Sequence, residues 1–486
     1  MRSSWKLSAL LLAFALMLLP LAGCATSATG GASETATSQA EASDQQTAEA
    51  SAPVEEKKEP VTIVVGGWPA EESQDYPTFQ KYLEKMKELY PYITIEPNEY
   101  AYNVNTFLPL AASGQLPTIY GTYFTEPEKI ISAGYCADIT DVLTSYGYDA
   151  AINPDLLELV TRDDRIYGIP YSAYSMGVWY NLTVLEKAGL LEGGKPVFPK
   201  TYEELGEMAS TIKKKTGTPG FYMLTNFNQG GWTFMNIAWS YGATFEEQIN
   251  GKWTATFNRP EAVAALQFVK DLRWKYDCLQ DNLLVTADDM MTAFGTNQVG
   301  MAFGTLDWTN SVVQNTGISK DAMAMSQVPG GPAGQVAQMG GSIYMFAPES
   351  TPEQLDACIK WLQLRGFKPE MDDAAQEALR QDLTDNNAKG YAVGPLGISV
   401  WVDPTYNEVR NGIYSEMANV NMVLWNDFCQ NASKNIRPEE PINCQELYAT
   451  LDAVIQSVLT DKNADPQKLL DEAVATFQRE YLDNVK

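Results

Sequence analysis

Hydrophobic and polar positions alternate with two different periods at the start of the folded part of the chain. Residues 61–65 form a β-branched, largely apolar run, which is typical of a buried parallel strand. Apolar residues then recur at helical spacing over residues 79–90, and Pro91 ends the predicted helix. Ile93 and Ile95 alternate with polar neighbours as a second strand. This opening predicts a βαβ unit.

Three later helices are predicted from capping boxes, in which a polar N-cap residue precedes a Glu or Gln by three positions. The pairs are Thr201 with Glu204, Asn258 with Glu261, and Thr351 with Gln354. Further strands are predicted at residues 178–180, 299–303 and 342–346. Because strands and helices interleave along the chain, the pattern favours an α/β architecture.

The N-terminus has the pattern of an export signal. Arg2 and Lys6 precede an apolar run over residues 7–21, which is shorter than the roughly 20 residues of a membrane-spanning helix. The run ends in Leu-Ala-Gly-Cys at Cys24, which resembles the bacterial lipobox. The resemblance implies a signal peptide over residues 1–23, a lipid on Cys24 and anchoring at the outer face of the membrane of a single-membrane bacterium.

Composition separates a tether from a folded body and excludes several functions. Residues 24–60 contain no aromatic residue, so we expect a disordered tether after the lipidated cysteine. The formal net charge of −27 argues against nucleic acid as a partner. The chain contains no histidine, which excludes Ser/His/Asp and Cys/His catalysis and most catalytic zinc sites. We expect no cofactor and no metal.

Five cysteines remain after Cys24, and their odd number and wide spacing do not fit a disulfide framework. Cys429 with Cys444 is the only pair worth testing as a bridge. Residues 461–472 have the ligand spacing of a calcium loop, but Pro466 occupies the position that requires glycine. Helix capping by Asp465 explains that segment better.

A long internal segment resembles a known protein family. Residues 166–190 read IYGIPYSAYSMGVWYNLTVLEKAGL, which is similar to the signature of family 1 extracellular solute-binding proteins. KPVFPKTYEELGEMASTIKKKTG follows, and AFGTNQVGMAFGTLDW, VPGGPAGQ and LLDEAVATFQREY resemble later family segments in the same order. The resemblance covers nearly all of residues 61–481, but residues 117–119 depart from the family pattern and residues 372–445 match nothing in it.

The resemblance implies a two-lobed periplasmic-binding-protein type II fold, an α/β architecture with a ligand cleft between the lobes. We expect residues 61–168 and 326–366 in the N-terminal lobe, and residues 169–325 and 367–486 in the C-terminal lobe. The chain should cross between lobes near residues 167–170, 325–328 and 365–367, and Gly168 is either a hinge or a simple turn residue.

Six residues are candidates for ligand binding. Trp68 follows the first strand through two glycines, which places it near the crevice at the carboxyl ends of the strands. The family resemblance implies contacts by Tyr174, Trp232 and Trp308, and Tyr123 and Asp307 complete the set. Aromatic rings stack on the C–H face of a sugar, and a carboxylate accepts hydrogen bonds from its hydroxyl groups. Most aromatics in a chain with 11 Trp, 25 Tyr and 17 Phe are nevertheless core residues.

Together these features predict a monomeric solute-binding lipoprotein of an ABC importer. It would bind a small solute, with an oligosaccharide favoured, and deliver it to the permease subunits without any chemical reaction. The alternative is a secreted glycan hydrolase or lyase that uses two carboxylates facing across a cleft, one of them with a raised pKa.

Overall fold

The computed structural model describes residues 58–73 and 75–485, and the chain from Lys58 onward forms one compact unit. The predicted signal peptide, Cys24 and most of the predicted tether lie outside the described residues. None of the described helices has the length and apolar character that crossing a bilayer requires.

The first part of the chain builds most of the N-terminal lobe. Its elements are β1 (Val61–Val65), α1 (Tyr76–Leu89), β2 (Ile93–Pro97), α2 (Phe107–Ala112), β3 (Ile119–Tyr123), α3 (Pro127–Ser132), α4 (Thr140–Ser145), α5 (Tyr148–Ala151), α6 (Pro154–Leu157), β4 (Thr161–Arg162), β5 (Arg165–Ile166) and β6 (Ile169–Ser175). The predicted βαβ opening is confirmed, since β1 runs parallel to β2 with Val61 opposite Ile93.

The second part builds the C-terminal lobe. Its elements are β7 (Gly177–Asn181), α7 (Leu182–Ala188), β8 (Leu191–Glu192), β9 (Lys195–Pro196), α8 (Tyr202–Thr216), β10 (Phe221–Tyr222), α9 (Gln229–Tyr241), β11 (Glu246–Ile249), β12 (Lys252–Ala255), α10 (Pro260–Trp274), α11 (Ala287–Gly295), β13 (Met301–Gly304), α12 (Thr309–Thr316) and β14 (Met323–Gln327).

The remaining chain contributes to both lobes. Its elements are β15 (Ala337–Phe346), α13 (Pro352–Leu364), α14 (Asp373–Ala388), α15 (Pro404–Glu416), α16 (Asn426–Cys429), β16 (Ile436–Pro438), α17 (Cys444–Thr460) and α18 (Pro466–Glu480). Short 3-10 turns occupy Glu158–Val160, Lys320–Ala322, Met422–Leu424 and Leu482–Asn484.

Two sheets define the two lobes. In the described chain the N-terminal sheet has the order β16-β15-β3-β1-β2, with β6 paired to β15, and the C-terminal sheet has the order β10-β13-β7-β14. Strand β15 runs antiparallel to both β3 and β6. Each sheet has its own buried hydrophobic core, so each lobe is stabilised by its own packing.

The first passage between the sheets lies later in the chain than the resemblance implied. Strand β6 still pairs with β15 of the N-terminal sheet, so the first passage is at Met176 rather than near residue 168. The second runs through residues 328–336, between β14 and β15. Beyond residue 367 the chain is not confined to the C-terminal lobe, because Trp401 packs in the N-terminal core and β16 pairs with β15.

The helix starts show which capping predictions were right. Thr351 and Gln354 form a complete capping box at α13, and Thr201 accepts a hydrogen bond from the Glu204 amide at the start of α8. The prediction at Asn258 is wrong: α10 begins after Arg259 without a side-chain cap. Asn258 Nδ2 donates to Asp471 Oδ1 at 2.8 Å instead, a long-range partner that local spacing does not reveal.

Helices α9 and α17 pack closely in the centre of the C-terminal lobe. Eleven of the residues of α9 are buried, as expected for a helix that is hydrophobic on all faces. A Cβ atom at Gly231 would lie 2.4 Å from the carbonyl oxygen of Tyr448, so only glycine permits this approach. The contact brings the start of α9 beside the start of α17, where both meet the N-terminal lobe.

Candidate functional site

A cavity of ≈ 420 Å³ lies where the two lobes face each other. The N-terminal lobe supplies Tyr123 at the end of β3, Tyr174 of β6 and the Gly341–Ser342 segment of β15. The C-terminal lobe supplies the start of α9, the loop between β13 and α12, and the start of α17. The cavity therefore occupies the position expected for the cleft of a two-lobed α/β protein.

Three aromatic rings form a continuous wall of this cavity. The rings of Tyr174 and Trp232 meet edge to face with centroids 6.2 Å apart, and those of Trp232 and Trp308 are 5.5 Å apart at 44°. Tyr174 takes its place because β15 has no side chain at Gly340, where a Cβ atom would lie 2.2 Å from the Tyr174 hydroxyl oxygen. The wall thus joins a tyrosine of one lobe to two tryptophans of the other.

Glu439 is the carboxyl group of the cavity with the most extensive network. The Tyr448 hydroxyl donates to Glu439 Oε1 at 2.8 Å, and Gln338 Nε2 donates to the same oxygen at 3.1 Å. Burial raises the pKa of Glu439 to about 8, and the nearby Glu126 adds to the shift. Its side chain is therefore mostly protonated at neutral pH.

Asp307 is a second carboxyl group in the cavity, carried by the loop between β13 and α12. Solvent reaches its side chain, but protein surrounds it on several sides and this partial burial raises its pKa. Burial is the largest cause of the raised pKa of the Tyr174 hydroxyl group. The nearby Glu439 and Asp307 carboxyl groups raise this pKa further. The two carboxyl groups therefore act on one region of the cleft.

A second cavity of ≈ 300 Å³ adjoins the first, and Tyr174 and Asp307 line both. Its other walls come largely from α14, α15 and the segment between them, including Arg410 and Tyr414. The Arg410 guanidinium lies 5.2 Å from the Tyr414 ring centroid. The segment that matched nothing in the family pattern thus extends the cleft beyond the aromatic wall.

The turn that leads into α9 is held by a carboxylate from α17. Asp452 accepts hydrogen bonds from the Asn228 and Gly231 amides, both at 2.8 Å. Phe227 and Asn228 adopt positive φ angles of 56° and 68°, which non-glycine residues rarely do. Asp452 therefore satisfies amides at the helix start and fixes the strained turn that carries Phe227, Asn228 and Gln229 into the cavity.

Polar contacts beside the cavity connect the lobes directly. Gln445 donates to Thr125 of the N-terminal lobe at 3.1 Å and accepts from Asn228 of the C-terminal lobe at 3.1 Å. Lys129 of α3 and Glu446 of α17 form an ion pair at 2.7 Å. The first turn of α17 is thus a point of contact between the lobes.

Five of the six candidate ligand residues come together in the first cavity: Tyr123, Tyr174, Trp232, Asp307 and Trp308. Trp68 does not line it. The Trp68 side chain is 4% exposed and stacks on Trp361 in the N-terminal core with centroids 5.6 Å apart. The position of Trp68 after β1 was inferred correctly. The chain then turns back beside the end of β2, where the Trp68 backbone N–H donates to the Asn98 carbonyl oxygen. This turn directs the Trp68 ring into the core.

Sequence reasoning missed Glu439, Tyr448, Gln229 and Gln445. No local pattern marks them, because the cavity brings together segments that are far apart in the chain. The Gln338 side chain, for example, reaches Tyr448 at 2.8 Å across 110 positions. The adjacent acidic residues Glu439 and Glu440 were the one sequence feature that could have pointed to this part of the cavity. Paired acidic residues, however, usually lie on a solvated surface.

The described residues contain no group of three or more Cys, Asp or Glu side chains placed to hold a metal ion. Cys429 and Cys444 both have free thiols in this part of the chain, so a bridge between them is not formed. Asp465 accepts from the Gln467 and Lys468 amides at the start of α18, which confirms its capping role.

These features are accompanied by a clear family match. The profile of the bacterial extracellular solute-binding proteins matches residues 78–376. The chain belongs to this family.

Curated relatives include ABC transporter components. An uncharacterized ABC transporter extracellular-binding protein of Pyrococcus horikoshii is 28% identical over 196 residues, 39% of this chain and 42% of the relative. A putative binding protein of Brucella abortus is 26% identical over 245 residues, 46% of this chain and 55% of the relative. The chain thus spans about half the length of the curated relatives it matches.

Solved structures share the fold at low identity. The maltose-bound MalE3 of T. maritima has a TM-score of 0.64 at 20% identity, covering 86% of this chain and 99% of that one. The GacH receptor of Streptomyces glaucescens has a TM-score of 0.64 at 17% identity, covering 88% and 100%. UgpB of Mycobacterium tuberculosis, in complex with glycerophosphocholine, has a TM-score of 0.63 at 15% identity, covering 87% and 98%. The two-lobed α/β fold predicted from the sequence is thereby confirmed.

Proposed function

We propose that this protein is the lipid-anchored solute receptor of an ABC importer and that its solute is an oligosaccharide. The observation that carries the proposal is the continuous wall of Tyr174, Trp232 and Trp308, which lies in a cleft between two lobes. Such a wall offers flat apolar surfaces to the C–H faces of sugar rings. Carboxyl and amide groups beside it are suited to hydroxyl groups.

The length of the cleft favours a solute of more than one sugar unit. The cavity of ≈ 420 Å³ continues past Tyr174 and Asp307 into the cavity of ≈ 300 Å³. Proteins of the same fold were solved with maltose and acarbose. A chain of two or more sugar rings would place one ring on the tryptophans and extend towards α15.

Closure of the lobes around the solute would signal occupancy to the permease. Residues of both lobes line the cavity, so a bound solute contacts both and stabilises the closed arrangement. The permease subunits would then recognise the surface that closure creates. The lipid on Cys24 would keep the receptor at the outer face of the membrane, and residues 25–60 would give it reach.

A thermal-shift screen of the mature protein with oligosaccharides, amino acids and short peptides tests the proposal. A large rise in melting temperature with an oligosaccharide, followed by recovery of that oligosaccharide intact, supports it. Recovery of shorter products would instead show the hydrolase or lyase that the sequence left open. A rise with amino acids or peptides alone would refute the oligosaccharide.

The anchor has a separate test. Wild-type protein produced in a single-membrane bacterium should partition into the membrane fraction and the detergent phase, whereas Cys24→Ser should be lost from both. Equal partition of the two forms would rule out the lipid. Cys429→Ser, which leaves the lipobox intact, is the matched control.

A further inference from the structure

The cavity contains acidic groups but no cationic side chain among its described lining residues. Asp307 and Glu439 are the two carboxyl groups that line it. Arg410 lines only the adjoining second cavity, where its guanidinium covers the Tyr414 ring. Two further cations in segments beside the first cavity are engaged elsewhere. Lys129 pairs with Glu446 at 2.7 Å, and Arg437 pairs with Glu440 at 3.0 Å while covering the Trp239 ring at 4.7 Å.

The groups that face Glu439 also lack a positive charge. Tyr448 and Cys444 face it from α17, Tyr174 from β6, and Glu126 from the residue before α3. Every one of these groups is neutral or negative at neutral pH. Likewise, the groups that shift the pKa of Asp307 include no cation. Closing the lobes would thus take the Asp307 carboxyl group from water without a counter-charge from the residues that line this cavity. It would also hold Glu439 in its neutral form, because burying an unpaired charge is costly.

A cationic solute would supply the positive charge that the lining of this cavity lacks. An ammonium group is attracted both to carboxylates and to the faces of tryptophan and tyrosine rings, and this attraction strengthens when water is excluded. Asp307 and Glu439 line the same cavity as Trp232 and Trp308. The net charge of −27 would also draw cations towards the protein.

We propose that the solute carries a protonated amino group, as in an oligosaccharide of amino sugars, and that Asp307 and Glu439 bind this group beside the aromatic wall. The inference rests on the proposed function, because it takes the cleft as the solute site and narrows the class of sugar. It distinguishes amino sugars from neutral sugars, which would leave Asp307 without a counter-charge and Glu439 protonated. It also distinguishes them from acidic sugars, which Asp307 would repel.

Proton exchange provides a specific signature of the amino group. An ammonium group beside Glu439 favours the ionised carboxylate and lowers its pKa from about 8. At pH 6 the amino group of the sugar is already protonated in solution, so binding of an amino sugar releases the Glu439 proton to the buffer. A neutral sugar leaves Glu439 protonated and releases none.

The experiment is isothermal titration calorimetry of the mature protein at pH 6 in two buffers of different ionisation enthalpy. The probes are the β-1,4-linked glucosamine disaccharide and trisaccharide, each paired with its hydroxyl analogue, cellobiose or cellotriose, together with maltose and spermidine. We expect the amino sugars to bind on the order of tenfold or more tightly than their neutral partners. We also expect a buffer-dependent enthalpy that corresponds to proton release.

The outcomes separate the inference from the proposed function. Neutral sugars that bind as tightly as the amino sugars, without proton release, overturn the inference and leave the oligosaccharide receptor standing. Binding of spermidine but of no sugar supports the cation site and refutes the oligosaccharide. Failure of every probe to bind counts against both.

Variants locate the effect. Glu439→Gln and Asp307→Asn should each weaken amino-sugar binding on the order of tenfold, and Glu439→Gln should also abolish most of the proton release. Glu207→Gln makes the same chemical change on the exposed surface of α8 and should alter neither. Thermal unfolding of each variant checks that it folds. Unchanged affinity and proton release in both cleft variants would contradict the assignment.

Discussion

Trp232 and Trp308 are half-buried tryptophans that contact each other at the surface of a cleft. A large apolar ring left partly in water is unfavourable for folding, so such a pair indicates a surface kept for a ligand. Removing either ring would delete both apolar contact area and stacking energy from the bound state.

We therefore expect Trp232→Ala and Trp308→Ala each to weaken solute binding by about 10- to 100-fold, as for anchor residues at other binding surfaces. The affinity should be measured by calorimetry with the solute found in the thermal-shift screen. Trp253→Ala removes a half-buried tryptophan of β12 outside the cleft and serves as the control. Equal effects of all three changes would show that the cleft tryptophans act only through stability.

Trp68 should behave in the opposite way. Its ring stacks on Trp361 and meets Phe79 edge to face at 5.1 Å in the N-terminal core. Trp68→Ala should lower the free energy of unfolding by about 3–5 kcal/mol, and the milder Trp68→Phe should lower it less. Denaturant unfolding measures both, and calorimetry of Trp68→Phe should give wild-type affinity. A loss of affinity in that folded variant would show that Trp68 contributes to solute binding.

Glu439 predicts a specific pH dependence of stability. Its folded-state pKa of about 8 lies above the ordinary value of 4.5, so the folded state holds the proton more tightly than the unfolded state. The contribution of Glu439 to the free energy of unfolding is thus greatest below pH 4.5 and is lost as the pH rises towards 8.

Glu439→Gln should accordingly be more resistant to alkaline conditions than the wild type. The free energy of unfolding, measured from pH 5 to 9, should fall less with pH in the variant, because the glutamine side chain does not ionise. Glu207→Gln should follow the wild-type curve. Parallel curves for wild type and Glu439→Gln would show that the carboxyl group is not buried as described.

At the scale of elements, helix starts with a local cap were predictable from the sequence, whereas a start held by a distant residue was not. The box of Thr351 and Gln354 is local, and it was predicted correctly. The start of α9 is instead held by Asp452, which lies 224 positions from Asn228. A cap supplied across that distance leaves no pattern at the helix itself, so neither the strained turn nor Gln229 was predicted.

This long-range cap should matter for binding. Asp452→Ala would leave the Asn228 and Gly231 amides without their acceptor, at a cost of about 1–3 kcal/mol in unfolding free energy, and would loosen the turn that lines the cavity. We expect a weaker affinity in calorimetry. Asp465→Ala removes a comparable cap from α18, away from the cavity, and should lower stability without changing affinity. Equal affinities in the two variants would contradict a role for the turn.

At the scale of the molecule, the two-lobed fold was predictable because ordered motifs along the chain resemble a known family. The first passage between the lobes was placed too early, since only the pairing of β6 with β15 assigns this strand to the N-terminal sheet. Residues 372–445 gave no signal, yet the second cavity is built largely from them and Glu439 lies just ahead of α17. Five of the six candidate residues still reach one cavity because strand ends converge there.

Solute binding should bring the lobes together. Small-angle scattering of the mature protein should show a smaller radius of gyration when solute is added, because residues of both lobes line the cavity. At a free solute concentration 100 times Kd, the free energy of unfolding should rise by about 2.7 kcal/mol. The double variant Trp232→Ala, Trp308→Ala should show neither change at that concentration. A radius that stays constant at saturation would rule out closure.

The contact between the Trp232 and Trp308 rings also has an optical consequence. Two indoles with centroids 5.5 Å apart and planes at 44° couple their electronic transitions, and such coupling gives a signed pair of bands in circular dichroism. A sugar ring seated against the pair would change both its geometry and its hydration. The protein therefore carries its own unlabelled spectroscopic reporter of cleft occupancy.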